Sequence, residues 1–263
     1  LDVIEHPPIF RLPGIPDHVT YTWVVMIVLT AVAFVASRNV QLVPRGIQNF
    51  MEVVIEQIQQ LIDDVMGPEG RRYLPFIATL GLFILAANLE GLIPGFAGPT
   101  ANLNTTAACA VIVFFTYHYI GIKTQGPLTY LKHFMGPVPL PLKPLMFVIE
   151  LISHLARPLS LTLRLFGNMI GGHILLAIIF FLMGLQGLIG WALSGSVAGA
   201  IVGGLGGIVM IVFTVGFLYP LKLLVSLLQA FIFVMLTMLY ISGAIEEAEH
   251  GHAPEHGHGS GRH

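Results

Sequence analysis

Apolar positions along the chain gather into long uncharged runs divided by short polar connectors, and one stretch departs from that pattern. The runs from Val19 to Ser37, Tyr73 to Leu92 and Thr105 to Ile122 have the length and flanks of membrane-crossing helices, about 20 residues each. Two later runs, Pro144 to Met183 and Ile201 to Ser242, are each near forty residues, about 60 Å of helix if unbroken. That is roughly twice the hydrocarbon thickness. Each holds a break or is strongly tilted, and the lack of a charged loop inside them favours tilt over extra spans. The exception begins at Pro44. Ile47, Phe50, Met51, Val54, Ile55, Ile58, Leu61, Ile62 and Val65 recur at helical spacing, while Glu52, Glu56, Gln59, Gln60, Asp63 and Asp64 fall elsewhere. This helix lies along a surface, in the membrane interface or against a soluble partner, and Gly67-Pro68 ends it.

The expected fold is therefore an all-α integral membrane protein, with five membrane helices plus one amphipathic interfacial helix, the last two spans forming a long, strongly tilted hairpin. One membrane domain covers 1–263. Residues 1–18 are an extramembrane lead-in whose prolines, Pro7, Pro8, Pro13 and Pro16, oppose helix. A first span follows at 19–37, then the amphipathic helix at 44–66, a helical hairpin at 73–122, and the tilted hairpin at 144–242. Between Lys123 and Pro144 five prolines mark a stiff, non-helical connector. The end of the chain, 243–263, combines Glu246, Glu247, Glu249 and Glu255 with five histidines and reads as a disordered cytoplasmic tail; metal binding by it and an expression-derived origin are the alternatives.

Composition agrees: 263 residues, 55% hydrophobic and 10% charged, with a mean hydropathy of +0.83, belong to a membrane protein. No basic patch points to nucleic acid, and no phosphate-cradling glycine loop is present. The single cysteine, Cys109, forms no intrachain disulfide and reads as a packing residue. His118 reads as a satisfied interfacial histidine. A start at Leu1 is expected for a processed or truncated terminus, and the first twenty residues lack the grammar of a signal peptide. Arg38, Arg45, Arg71, Arg72, Lys123, Lys132 and Lys143 all fall in connectors that five spans put on one side, whereas 93–104 and 184–200 have no Lys or Arg. By the positive-inside rule the N-terminus is outside and the C-terminus cytoplasmic.

Chemistry concentrates in Pro158-Leu-Ser-Leu-Thr-Leu-Arg164-Leu-Phe-Gly-Asn168-Met-Ile-Gly-Gly-His173. On a helix, Ser153, Arg157, Ser160, Arg164, Asn168 and Gly171 share one face, a polar stripe on an apolar rod. Glu150 lies roughly 40° off it and about 21 Å before Arg164; His173 is about 13 Å beyond and half a turn round. A guanidinium near the bilayer centre costs from about 2.5 to over 10 kcal/mol, so it faces protein or water and pairs, and it cannot shed its proton. Snorkelling to a headgroup is disfavoured, because apolar sequence continues a dozen or more residues on both sides. No acid of this chain is obviously placed beside Arg164, which implies a carboxylate from another chain. In the last run Lys222, Ser226, Gln229, Thr237 and Tyr240 form a second stripe.

These stretches, together with Leu228-Gln229-Ala-Phe-Ile-Phe-Val-Met-Leu-Thr-Met-Leu-Tyr240-Ile and Asn88-Leu-Glu-Gly-Leu-Ile-Pro94-Gly, resemble subunit a of the bacterial-type rotary ATP synthase membrane sector over nearly the whole chain past the first helix. The resemblance implies a stator in the bacterial inner membrane, held by peripheral-stalk b subunits and lying against a ring of c subunits, with H⁺ or Na⁺ entering by one half-channel and leaving by another. Arg164 matches the family's essential arginine, which meets each ring carboxylate and blocks direct leak. Gln229 and Asn168 match its neighbours, and Glu150 an acid of the cytoplasmic half-channel. His173 and Lys222 match an outer pair that in relatives often carries Glu and His, so here the pair has no carboxylate. Asn88, Glu90 and Ser160 are further candidates; Gly91 stands where some relatives are acidic. No cofactor and no metal are implied.

A secondary transporter or channel is the rival class, but hydropathy shows no convincing internal repeat. An intramembrane hydrolase would need His-Glu-x-x-His, paired aspartates or Gly-x-Ser-x-Gly, all absent; Glu150 with His154 at i+4 lacks a third metal ligand.

Overall fold

A computed structural model describes residues 14–38, 40–93, 96, 98–133, 139–183, 188–193 and 196–250. Among them there are helices and no strands. The helices are α1 (Asp17–Arg38), α2 (Ile47–Met66), α3 (Leu74–Glu90), α4 (Leu103–Gln125), α5 (Pro127–His133), α6 (Lys143–Met183), α7 (Leu188–Ala192), α8 (Val197–Phe213) and α9 (Tyr219–His250). A π-helical turn, Thr214–Leu218, joins α8 to α9 without a break in the rod. Pro220, lacking an N–H and crowding the preceding turn, is the physical reason for a widened turn there. Five helical stretches are long and apolar enough to cross a membrane: Asp17–Arg38, Pro68–Glu90, Leu103–Gln125, Lys143–Leu182 and Val197–Ile245.

Helices α3, α4 and α9 form the centre. Ile84 from α3, Val113 and Tyr117 from α4, and Phe233 and Ile241 from α9 are essentially inaccessible, and α6 adds Leu161 and Leu165 to this cluster. In lipid the apolar transfer term is nearly absent, so close backbone approach and dispersion do the holding. Gly81 shows it: a Cβ there would lie 2.6 Å from Val234 Cγ2, so α3 and α9 touch at a separation only glycine permits. The amphipathic pattern of α2 is explained by Ile62, which packs with Ile77, Val234 and Met238 of α3 and α9. Gly67, at φ 68°, ends α2 in a conformation that costs a side chain. Beyond it Arg71 donates to both carboxylate oxygens of Asp63, at 2.7 and 2.8 Å, clamping α2 to the start of the second span.

The long helix α6 stands at the edge. Only 11% of its apolar window is buried, against 44% for α4. Its buried residues Leu161, Leu165 and Met169 recur every fourth position, a narrow seam down one side of an otherwise uncovered rod.

Three boundaries differ from the sequence reading. The connector 123–144, expected to be non-helical, contains the end of α4, the short helix α5 and a 3-10 turn at Leu140–Leu142. Gly126, at φ 83°, stops α4, and Pro127, at the first position of α5, costs nothing there because that N–H has no helical partner. Residues 243–250, expected to belong to the tail, are helical, because α9 continues to His250; Glu246, Glu247, Ala248 and Glu249 are good helix formers. The turn after α6 holds α7, whose Leu188 packs against Gly206 of α8. The expectations for 1–13 and 251–263 lie outside the described residues.

Candidate functional site

Arg164 emerges just beside the buried seam of α6 and is exposed. Among the described residues no acid and no acceptor pairs with it. Ser160 stands exposed one turn before it and Asn168 one turn after. Asn168 turns its amide inward, and its Nδ2 donates to Gln229 Oε1 of α9 at 2.7 Å. Gln229 itself is 4% exposed, so this bond crosses from the open face of α6 into the protein. The sequence stripes thus meet edge to edge rather than face to face: Ser160 and Arg164 look outward, Asn168 reaches in from the rim, and Ser226, Gln229 and Thr237 of α9 are buried.

Below this pair lies a cavity of about 180 Å³ between α3, α6 and α9, bordered by Asn88, Asn168, Gly172, Lys222, Ser226 and Gln229. At Gly172 a Cβ would come within 2.8 Å of Lys222 Cε, so a side chain there would displace the flexible end of Lys222. Asn88 Nδ2 donates to the Ser226 carbonyl at 3.4 Å, bridging α3 to α9. Lys222 Nζ, His173 Nε2 and both Glu90 oxygens are buried without a hydrogen-bond partner among the described residues. Buried polar atoms are normally satisfied by protein or ordered water, which sets these three side chains apart from the apolar packing around them. The structure brings His173, on α6, and Lys222, on α9, to the same end of the protein as Glu90, at the C-terminus of α3. It does not pair Glu90 with Asn88: two helical residues apart, they point about 200° from each other. Gly91 has no room for a side chain as packed, because a Cβ would lie 1.6 Å from Met169 Cε. The acid at this turn therefore sits at Glu90.

Towards the other end of α6 a second polar group forms around Glu150. His154, 8% exposed, places Nε2 3.4 Å from Glu150 Oε1 and Nδ1 3.0 Å from the Tyr117 hydroxyl of α4. The Arg157 guanidinium lies over the rings of Tyr117 and Tyr240, at 5.8 and 5.1 Å. Sequence reading missed Tyr117 and gave His154 only a passing metal role. Its i+4 spacing from Glu150 was the available signal; nothing local marks Tyr117, 37 positions away. His118 is satisfied, its Nδ1 2.9 Å from the Phe114 carbonyl, and Cys109 is a buried free thiol, both as read from sequence. Among the described residues no group of three or more metal-ligating side chains occurs.

Fold and site define a multi-pass helical membrane protein carrying a fixed cation on the open face of its longest helix, near a mostly apolar cavity into which a few polar side chains project. The family described as ATP synthase A chain matches residues 19–242. The chain is 49% identical to ATP synthase subunit a 1 of Pelobacter propionicus over 237 residues, 88% of this chain and 89% of that one. It is 48% identical to ATP synthase subunit a of Geobacter sulfurreducens over 237 residues, with the same shares, and 46% identical to that of Citrifermentans bemidjiense over 248 residues, 92% and 93%. The chain belongs to the ATP synthase A chain family.

Proposed function

We propose that this chain is the membrane stator of an ATP synthase, forming two proton half-channels against a ring of c subunits and coupling proton flow to ring rotation. The observation that carries the reading is Arg164: a permanent cation in mid-helix, uncovered, with no acid among the described residues beside it. Leaving such a charge unpaired in lipid costs several kcal/mol, so the open face of α6 is where an acidic neighbour passes. Because guanidinium cannot release its proton, Arg164 acts as a fixed charge: it attracts each deprotonated ring carboxylate and bars direct transfer between half-channels.

In this reading the cavity with Asn88, Lys222 and Ser226, together with His173 and Glu90, belongs to the outer half-channel, and Ser160 and Glu150 to the cytoplasmic one. Asn168 and Gln229 hold the two flanks of Arg164 together. Moving one charge across 100 mV releases about 2.3 kcal/mol, which rotation captures only if slip past Arg164 is blocked. The chain itself makes no covalent bond. It sits in the bacterial inner membrane with its N-terminus outside and its C-terminus cytoplasmic, α6 and the α8–α9 rod steeply tilted, and peripheral-stalk b subunits holding it against torque. The test is Arg164→Ala in an assembled complex. ATP-driven proton pumping is abolished; pumping near the wild-type rate overturns the proposal.

A further inference from the structure

The group around Glu150 has an internal order that the proposed function does not use. Three side chains from two helices are linked in series, Tyr117, His154 and Glu150, with the imidazole in the middle. Tyr117 is 1% exposed, and its ring is fixed between Phe114 at 5.6 Å and Tyr240 at 5.9 Å. Pro158 lies four residues after His154 and, having no N–H, leaves the His154 carbonyl without its helical donor.

A neutral imidazole has one donor and one acceptor nitrogen. If Nδ1 carried the hydrogen, Nε2 would turn a lone pair towards the Glu150 carboxylate, lone pair against lone pair. If instead the Tyr117 hydroxyl donates to Nδ1, the hydrogen sits on Nε2, the nitrogen 3.4 Å from Glu150 Oε1. Only the second arrangement satisfies all three groups when Glu150 is ionised, and the partner on one ring nitrogen thereby sets what the other does.

We propose that His154, its tautomer set by Tyr117, is a positioning residue of the cytoplasmic proton path, holding the Glu150 carboxylate in one orientation with a fixed N–H donor. This rests on the reading of Glu150 as a member of that path. Among the described residues the titratable or charged groups facing His154 are Glu150 and Arg157 on α6 and Tyr117 and His118 on α4, with Tyr240 of α9 behind Tyr117 and Tyr130 of α5 behind His118.

The experiment uses the whole complex reconstituted in vesicles, with pumping rates normalised to assembled complexes and measured across pH. His154→Leu lowers the rate roughly tenfold, the factor carried by one lost hydrogen bond to a charged group, and displaces the pH profile. His154→Gln restores both, because its amide nitrogen can reach the position of Nε2. Tyr117→Phe keeps the ring and gives an intermediate rate with the same displacement of the profile. If His154→Leu matches wild type in normalised rate and profile, or alters only the amount assembled, the inference is overturned. Glu150→Gln is run alongside. An inactive Glu150→Gln with an unaffected His154→Leu overturns the inference alone, whereas a fully active Glu150→Gln overturns the path assignment beneath it.

Discussion

Asn168 on α6 and Gln229 on α9 share a 2.7 Å amide hydrogen bond across 61 positions of sequence, the donor at the open face and the acceptor inside. In lipid such bonds between helices are worth about 0.6 kcal/mol on average and up to about 1.7. The bond is better understood as fixing the register of α6 beside Arg164 than as a large source of stability. Asn168→Leu and Gln229→Leu are each expected to slow pumping, and the double variant to be no slower than the worse single within about a factor of two. Fully multiplicative losses in a double-mutant cycle would show that the two side chains act separately.

Glycines 91 and 98 predict a contrast in rescue. A methyl group at Gly91 meets the flexible end of Met169, whereas one at Gly98 comes within 2.8 Å of the Gly91 backbone. Both Gly91→Ala and Gly98→Ala should destabilise by about 1–3 kcal/mol. Adding Met169→Ala should recover Gly91→Ala to a large degree and Gly98→Ala much less, as read by the thermal stability of the purified complex. Equal rescue of both would contradict the packing described.

Glu90 offers a test of the proposed outer half-channel. Its two carboxylate oxygens are buried without a partner among the described residues, and Gln is the same shape but does not titrate. Glu90→Gln should leave assembly unchanged and cut passive proton flux roughly tenfold or more, within the range for loss of a positioned acid–base group. Unchanged flux would remove Glu90 from the path.

The clamp between Asp63 and Arg71 carries a pH dependence whose sign is set by the guanidinium, which holds the Asp63 carboxyl below the ordinary aspartate value. A lowered native pKa means that the contribution is fully present above the ordinary value, near 3.9, and is lost as pH falls through the native one. Protease cleavage near Gly67 should therefore be faster in Asp63→Asn than in wild type at neutral pH, with the two converging in strong acid. A difference that persisted there would exclude the ion pair as its source.

The spans, the surface helix and the prominence of Arg164 were all legible in the residue pattern. Local features write them: an uncharged run of sufficient length, a helical period, a cation where apolar sequence leaves it no exit. The relation of Glu150 to His154 was visible as spacing but not as chemistry, since its meaning depends on the Tyr117 hydroxyl brought in by α4. The extension of α9 to His250 was missed because charge and histidine content suggested disorder, while Glu and Ala still favour helix on a rod already nucleated.

By itself the sequence determined which segments are helical and apolar enough to enter a membrane, because a backbone in lipid must satisfy its hydrogen bonds within the segment and that depends on local composition. Only the tertiary structure decided which faces of those rods meet: that α6 buries the seam of Leu161, Leu165 and Met169 and leaves Arg164 uncovered, and that Asn168 reaches Gln229. Helix contacts in an apolar solvent are chosen by shape and by the few polar groups that find one another across space, and one-dimensional spacing does not contain that choice.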